Sequence, residues 1–329
     1  MEHIRMSRED AVGIITLDRR DCFNAMDVRM AQDFRKAGLQ FARDEAVRCV
    51  VIRGVGGVFC SGADLKYVRA RGATSDFGYL HPEGSAPAQG YGESFKQILE
   101  YLHSTISEIR RAPKPFLAAV DGIAAAGGFG IAMACDLVLA SEQSSFEWAY
   151  HKTGLTGAES STFFLPRLVG LRKAMELVLL NPRLSAHEAK AAGLITAVFP
   201  DASFDAEVLA LARRLAAGPT KAYGVAKTLL NAAAGVDRLD YHLDEELQQL
   251  ARIADGPDFA EGLASFFEKR APAFSGESAS TAAPLRDAAP AGAASGSSRS
   301  RSRTPASSAG TSAVPPRRSR PPGSRGGSG

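Results

Sequence analysis

The sequence has 329 residues, 45% hydrophobic and 23% charged, with a net charge of +3 at neutral pH. That length and apolar content suit one large folded domain or two modest ones. From Ser275 onward eight Arg face two acids (Glu277 and Asp287), so this end carries +6 and the rest −3, which argues against a nucleic-acid surface on the folded part. Four scattered cysteines (Cys22, Cys49, Cys60, Cys135) with no CxxC pair argue against a zinc site or a disulfide framework and suit a reducing cytosol, so a cytoplasmic location is expected.

The opening MEHIRMSRED is charged and lacks the apolar stretch of a signal peptide. Ala11 to Leu17 is a β-branched run and predicts a strand; Met26 to Arg43 has helical spacing; Cys49 to Ile52 is a continuous apolar run and predicts a buried strand. After FCSGADLK, residues 72–92 are rich in Gly, Pro, Ala and Ser and read as a mobile loop. Glu93 to Arg111 repeats apolar residues at three- and four-residue steps until Pro113 and Pro115 stop it.

Phe116 to Val120 predicts a third strand and Leu137 to Ala140 a fourth, with a buried helix starting at Gly127 between them. Phe116 to Ala140 is the longest apolar region, but Asp121, Asp136 and several glycines favour strand, turn and helix over a membrane span. Strands alternating with helices predict an α/β core over residues 1–200. Beyond Pro200 the pattern is helical only: Phe204–Ala217, Lys221–Ala234, Asp240–Ala254 and Phe259–Lys269. With little sheet to pack on, the region 201–274 reads either as a subunit-contact region or as a helical cap. From Ser275 to Gly329 the composition falls to Ser, Ala, Gly, Pro and Arg, too little apolar surface to offset chain entropy, and predicts a disordered tail.

Two motifs carry chemistry. One is Phe59-Cys60-Ser61-Gly62-Ala63-Asp64-Leu65-Lys66; the other is Asp121-Gly122-Ile123-Ala124-Ala125-Ala126-Gly127-Gly128-Phe129-Gly130. Each puts small residues where a strand ends and a helix begins, so a ligand can approach the main chain where N–H groups are unpaired and the helix end is positive. Two such turns face to face would hold an oxygen that gains negative charge. Either turn alone is equally a tight strand–helix connection.

Together the motifs resemble the crotonase superfamily of enoyl-CoA hydratases and isomerases, over residues 8–274. DRRDCFNAM (18–26), KPFLAAVDG (114–122), LPRLVGLRKAMELVLLNPRLSAHEAKAAGLI (165–195) and FFEKRAPAF (266–274) support the match. The resemblance implies a spiral of ββα units, a homotrimer or dimer of trimers, and an acyl-CoA substrate whose coenzyme A is part of the substrate, with no separate cofactor and no metal. It implies an oxyanion hole made by the N–H groups of Ala63 and Gly127. Ala63, Asp64, Leu65 and Lys66 would line the CoA chain. Arg19 and Arg20 are either phosphate contacts or surface cations.

Hydratases of this family hold water between two glutamates, at the positions of Gly130 and Tyr150 here. Neither carboxylate is present. The segment 146–167 is closer to the branch of 4-chlorobenzoyl-CoA dehalogenase and the dienoyl-CoA and ring-epoxide isomerases, whose working aspartate aligns with Ala158, one residue before Glu159. Glu159 is therefore the catalytic candidate, or else a helix N-terminal charge capped by Thr156 or Ser160. His103, beside the stripe of Leu99, Leu102 and Ile106, matches a histidine of the dehalogenase and is the second catalytic candidate, or a structural histidine. Tyr150 takes an aromatic position that would touch the acyl group. The expectation is an enzyme of isomerase, hydrolytic or aryl-CoA type rather than a two-glutamate hydratase; the alternative is a non-catalytic acyl-CoA-binding member.

Overall fold

The computed structural model describes residues 1–73, 76 and 90–277. Most of the loop expected at 72–92, and the tail from residue 278, lie outside the described residues.

The chain opens with a hairpin of β1 (Ile4–Glu9) and β2 (Val12–Leu17), then α1 (Val28–Arg43), β3 (Cys49–Gly54), β4 (Val58–Cys60) and the short helix α2 (Leu65–Arg69). α3 (Tyr91–Arg111) leads to β5 (Phe116–Val120), β6 (Ile123–Ala125) and α4 (Gly127–Ala134). β7 (Leu137–Ser141), β8 (Ser145–Glu147), α5 (Ser161–Val169), α6 (Leu171–Leu180), β9 (Leu184–Ser185), α7 (Ala186–Ala191) and β10 (Ala197–Phe199) follow. Four helices end the described chain: α8 (Phe204–Ala217), α9 (Thr220–Ala233), α10 (Leu239–Ala254) and α11 (Pro257–Glu268).

Among the described residues the strands make two sheets, one ordered β1-β2-β3-β5-β7-β10 and one β4-β6-β8-β9. The pairs β3–β4, β5–β6 and β7–β8 each send one strand to each sheet, so the chain spirals as the resemblance implied. Apart from the β1–β2 and β8–β9 pairs the ladders are parallel. The three-residue strands β4, β6 and β8 are too short to show a period of two, and the sequence reading did not resolve them.

Strand alternation sorts the core onto two faces. Ile15, Leu17, Val50, Ile52, Phe116 and Ala118 join the main cluster under α1, α3 and α4. Val12, Ile14, Cys49, Val51, Leu117 and Leu139 face the other way and are covered by Phe204, Val208, Ala212 and Ala216 of α8. The last third therefore has sheet to pack on, contrary to the sequence reading: α8 takes the outer sheet face and α10 lies along α3. Parallel strands need both faces covered, which is why β2 and β3 read as unbroken apolar runs.

α9 is different. Gly224 is its sole buried residue, and Val225, Leu229 and Leu230 are exposed, as are Leu171, Met175, Leu179 and Leu180 on α6.

Candidate active site

The two small-residue turns meet where the sheets end. Gly62 has φ +99, and a side chain there would lie 2.7 Å from the Ala126 methyl carbon and 3.2 Å from the Gly127 nitrogen. Only glycine permits that approach of the first turn to the second. Ala63 bridges to Met26, but the two bonds of the bridge use the Gly62 carbonyl and the Asp64 N–H (both 2.8 Å). Gly127 is the first residue of α4, whose N–H has no acceptor within the helix. Among the described residues neither the Ala63 nor the Gly127 N–H donates to a protein group.

A cavity of 650 Å³ opens beside these turns. Ala63, Asp64, Leu65, Lys66, Gly127, Tyr150 and Glu159 all line it. Five of the ten non-glycine residues with positive φ among the described residues line it as well: Phe23, Ala126, Ala149, Glu159 and Lys269. Phe23 and Lys269 are left-handed helix C-caps, whereas Ala126, Ala149 and Glu159 hold positive φ at turns that shape the cavity wall.

Glu159 is 3% exposed. Its φ of +50 and that of +63 at Ser160 swing the carboxyl back over α4, where Oε1 would lie 2.8 Å from a side chain placed on Gly127. A side chain at Gly130 would come within 2.4 Å of the Glu159 carbonyl oxygen. No carboxylate fits at position 130 while Glu159 occupies this place. Burial raises Glu159 from near 4.5 to about 8; the hydroxyl of Tyr150, which donates to Oε2, opposes the rise and the charge of Glu246 adds to it. Tyr150 is itself pushed well above the ordinary phenol range, first by burial and then by Glu159, so it stays a donor.

His103 does not reach the cavity. Its Nε2 accepts the main-chain N–H of Glu159 at 3.2 Å, and burial lowers its pKa to about 4 against the pull of Glu246. A neutral ring that uses Nε2 as acceptor carries its hydrogen on Nδ1, and the backbone of Leu243 pulls the pKa upward against the burial. The sequence reading offered His103 as a catalytic group; its contact is with the backbone of Glu159 instead. Ser160 does sit at the N-cap of α5, but its hydroxyl makes no cap bond.

The first turn of α5 is capped from outside by Glu246 of α10, which accepts the N–H groups of Ser160 (2.8 Å) and Thr162 (3.0 Å) and the Thr162 hydroxyl. Burial favours the neutral acid at Glu246, but hydrogen bonds from His242 and Thr162 carry it below the usual range. The sequence reading missed this residue. Its signal was available: Leu239, Leu243, Glu246 and Leu250 form the buried stripe of α10, and a glutamate in that stripe stands where an apolar residue is expected.

The other expected residues divide. Asp64 caps α2, accepting the N–H groups of Lys66 (2.9 Å) and Tyr67 (3.1 Å), and pairs with Arg19 at 2.8 Å. Arg19 also pairs with Asp27 at 2.9 Å and does not line the cavity, so it is neither a phosphate contact nor a surface cation. Arg20 is exposed beside Asp18 and also lies off the cavity. Lys152, Arg183 and Lys269 were not foreseen; with Lys66 they put four exposed cations on the cavity wall. Of the other carboxylates on the cavity wall, Asp21, Asp64 and Glu147, the last is engaged by Lys152, by Asn181 at 2.6 Å and by Arg183 at 3.1 Å. These partners outweigh its burial and hold it below the usual carboxylate range.

Comparison with known proteins agrees with this geometry. The enoyl-CoA hydratase/isomerase family model matches residues 7–277. A 4-chlorobenzoyl coenzyme A dehalogenase-2 of an Arthrobacter species is 34% identical over 81% of this chain and 91% of its own. The 1,2-epoxyphenylacetyl-CoA isomerase of Escherichia coli K12 is 32% identical over 84% of this chain and all of its own. Both lie in the branch that segment 146–167 resembles. A crystal structure of an enoyl-CoA hydratase from Mycobacterium avium subsp. paratuberculosis K-10 superposes with a TM-score of 0.71 at 32% identity, over 83% of this chain and 98% of that one. With the spiral fold, the facing turns and these matches in place, the chain belongs to the enoyl-CoA hydratase/isomerase family, whose enzymes act on CoA thioesters.

Proposed function

We propose that the protein shifts a double bond in an acyl-CoA thioester by moving one proton through Glu159. The thioester carbonyl sits between the Ala63 and Gly127 N–H groups. Glu159, ionised, takes a proton from the carbon next to that carbonyl; the C–H electron pair becomes the carbon–carbon bond of an enolate whose oxygen carries the charge between the two donors. Glu159, now protonated, returns the proton two carbons further on, the double bond moves into conjugation, and the carboxylate is restored. No water is consumed.

The observation that carries this reading is one buried carboxyl over Gly127 with a pKa of about 8, close to the pH at which it must both take and give a proton. Hydration needs a water held between two carboxylates. Gly130 has no room for one, Tyr150 replaces the other, and Glu147 is tied to two cations and an amide. Lys66 and Lys269, with the surplus positive charge of the Lys152–Glu147–Arg183 cluster, supply the charge that coenzyme A phosphates require, and the exposed apolar faces of α6 and α9 fit assembly as a homotrimer or dimer of trimers. Among the described residues no helix is long and apolar enough to cross a membrane.

The test is conversion of 3-butenoyl-CoA to crotonyl-CoA, with exchange of the α-protons of phenylacetyl-CoA in D2O followed by NMR. Both are expected in the parent and lost in Glu159→Gln. A parent that does neither, or a Glu159→Gln protein that does both at parental rate, overturns the reading.

A further inference from the structure

We propose that Glu246 is a positioning residue for the reaction: from α10 its carboxylate holds the main-chain N–H groups of Ser160 and Thr162, and so fixes the left-handed Glu159–Ser160 pair that carries the reacting carboxyl over Gly127. The proposal rests on the proton-transfer role of Glu159.

Two adjacent non-glycine residues in the left-handed region do not hold that shape unaided; each costs free energy that the surroundings must offset. The offset is local and visible. Glu246 Oε2 accepts from Ser160 at 2.8 Å, and Oε1 accepts from Thr162 at 3.0 Å and from the Thr162 hydroxyl. The Thr162 hydroxyl has one hydrogen and spends it on Glu246, so at its 2.8 Å contact with His242 the ring Nε2 is the donor. His103 completes the brace by accepting the Glu159 N–H at 3.2 Å, and its Nε2 lies 3.9 Å from Glu246 Oε2. Two N–H groups of the strained turn thus end on one carboxylate of α10, itself 5% exposed, and a third ends on His103 of α3.

A helix cap does not require a charge at that depth. A neutral acceptor would satisfy the same N–H groups at lower desolvation cost, so the charge has a second effect to account for. The groups that face Glu246 are His103 from α3 at 3.9 Å, His242 from α10 at 3.6 Å and, from the cavity side, Tyr150 and Glu159. The charge of Glu246 adds to the rise at Glu159 and so makes it a stronger base. Cys60, the other titratable group facing Glu159, has its thiol pushed up to about 12 by burial and stays uncharged.

The experiment compares Glu246→Gln and Glu246→Asp with the parent and with Glu159→Gln, using 3-butenoyl-CoA turnover against pH and binding of butyryl-CoA. Glu246→Gln removes the charge and turns an NH2 toward one N–H. It is expected to lower kcat roughly 10²-fold, as a displacement of about 1 Å does, to leave butyryl-CoA affinity within about threefold, and to move the alkaline-rising limb to lower pH. Glu246→Asp keeps the charge but shortens the arm: kcat falls and the limb stays where the parent has it. Should Glu246→Gln fail to fold, Glu246→Asp decides alone. Parental kcat in Glu246→Asp, or a parental limb and kcat in Glu246→Gln, overturns the proposal while an inactive Glu159→Gln leaves the proton-transfer reading standing. Turnover that survives Glu159→Gln sinks that reading instead.

Discussion

The hydroxyl of Tyr150 donates to Glu159 Oε2 and stands 3.1 Å from the carbonyl oxygen of Ala158, so its one hydrogen has two acceptors a peptide apart. With Glu159 ionised, the hydrogen goes to the carboxylate. With Glu159 protonated, the acid donates to the phenol oxygen and the phenol turns to Ala158. Both states of the base leave every partner satisfied, which a group that gives and takes a proton in one cycle requires.

Tyr150→Phe tests this arrangement. Loss of the donor removes the contribution that holds Glu159 down, so its pKa rises further above about 8. The base limb of kcat/KM against pH is expected to move to higher pH, with a lower rate at pH 7. Ring packing on Trp148, at 5.0 Å between centroids, should survive. An unmoved limb would show that the phenol does not govern the carboxyl.

Glu159→Gln is expected to cut turnover roughly 10²–10⁴-fold while thioester binding stays, because Ala63, Lys66 and Gly127 are untouched. The same variant carries a stability signature. The unfolded chain releases this proton near pH 4.5 and the folded chain keeps it to about 8, so parental stability declines as pH rises through that window. Glutamine has no such loss. Glu159→Gln should therefore melt progressively higher than the parent from pH 5 to pH 8.5, by on the order of 4 kcal/mol at the upper end. A gap that does not widen with pH would mean the carboxyl is not buried as described. His103→Gln keeps a side-chain acceptor near the Glu159 N–H and should cost less turnover than Glu159→Gln.

Hydration of crotonyl-CoA is expected to run far below isomerisation of 3-butenoyl-CoA. Restoring a carboxylate by Gly130→Glu is not expected to create hydratase activity, since that side chain meets the Glu159 carbonyl at 2.4 Å. The more direct outcome is lost folding or displaced Glu159. Rapid crotonyl-CoA hydration by the parent would contradict the assignment.

Much of the fold was legible because its period is the signal: β2, β3, β5 and β7 are apolar runs between turns, and α1, α3 and α10 repeat at helical steps. The second sheet was not, since three residues carry no period. At the site, the two turns announced themselves by small residues. Glu159 stood out as a carboxyl in a run of small residues before FFLP, yet its place depends on two left-handed residues that composition does not encode. The brace at Glu246 lies 86 residues from Ser160, a distance no local pattern spans.

The exposed apolar residues of α6 and α9 give the last prediction. Leu171, Met175 and Leu179 recur at four-residue steps and so form one stripe on α6; Val225 and Leu229 do the same on α9. Leu179 is 70% exposed and Leu229 66%, far more than a soluble surface holds in a continuous row without a partner. Neither residue touches the cavity, so both can be changed without altering the chemistry. The parent is expected to scatter light as a trimer or hexamer at micromolar concentration. Leu179→Arg combined with Leu229→Arg should give monomers with unchanged helical circular dichroism, because a desolvated charge opposite an apolar neighbour opposes association without disturbing a face that packs on nothing within the chain. A monomeric parent, or a double variant that still assembles, would mean these faces are not the subunit contact.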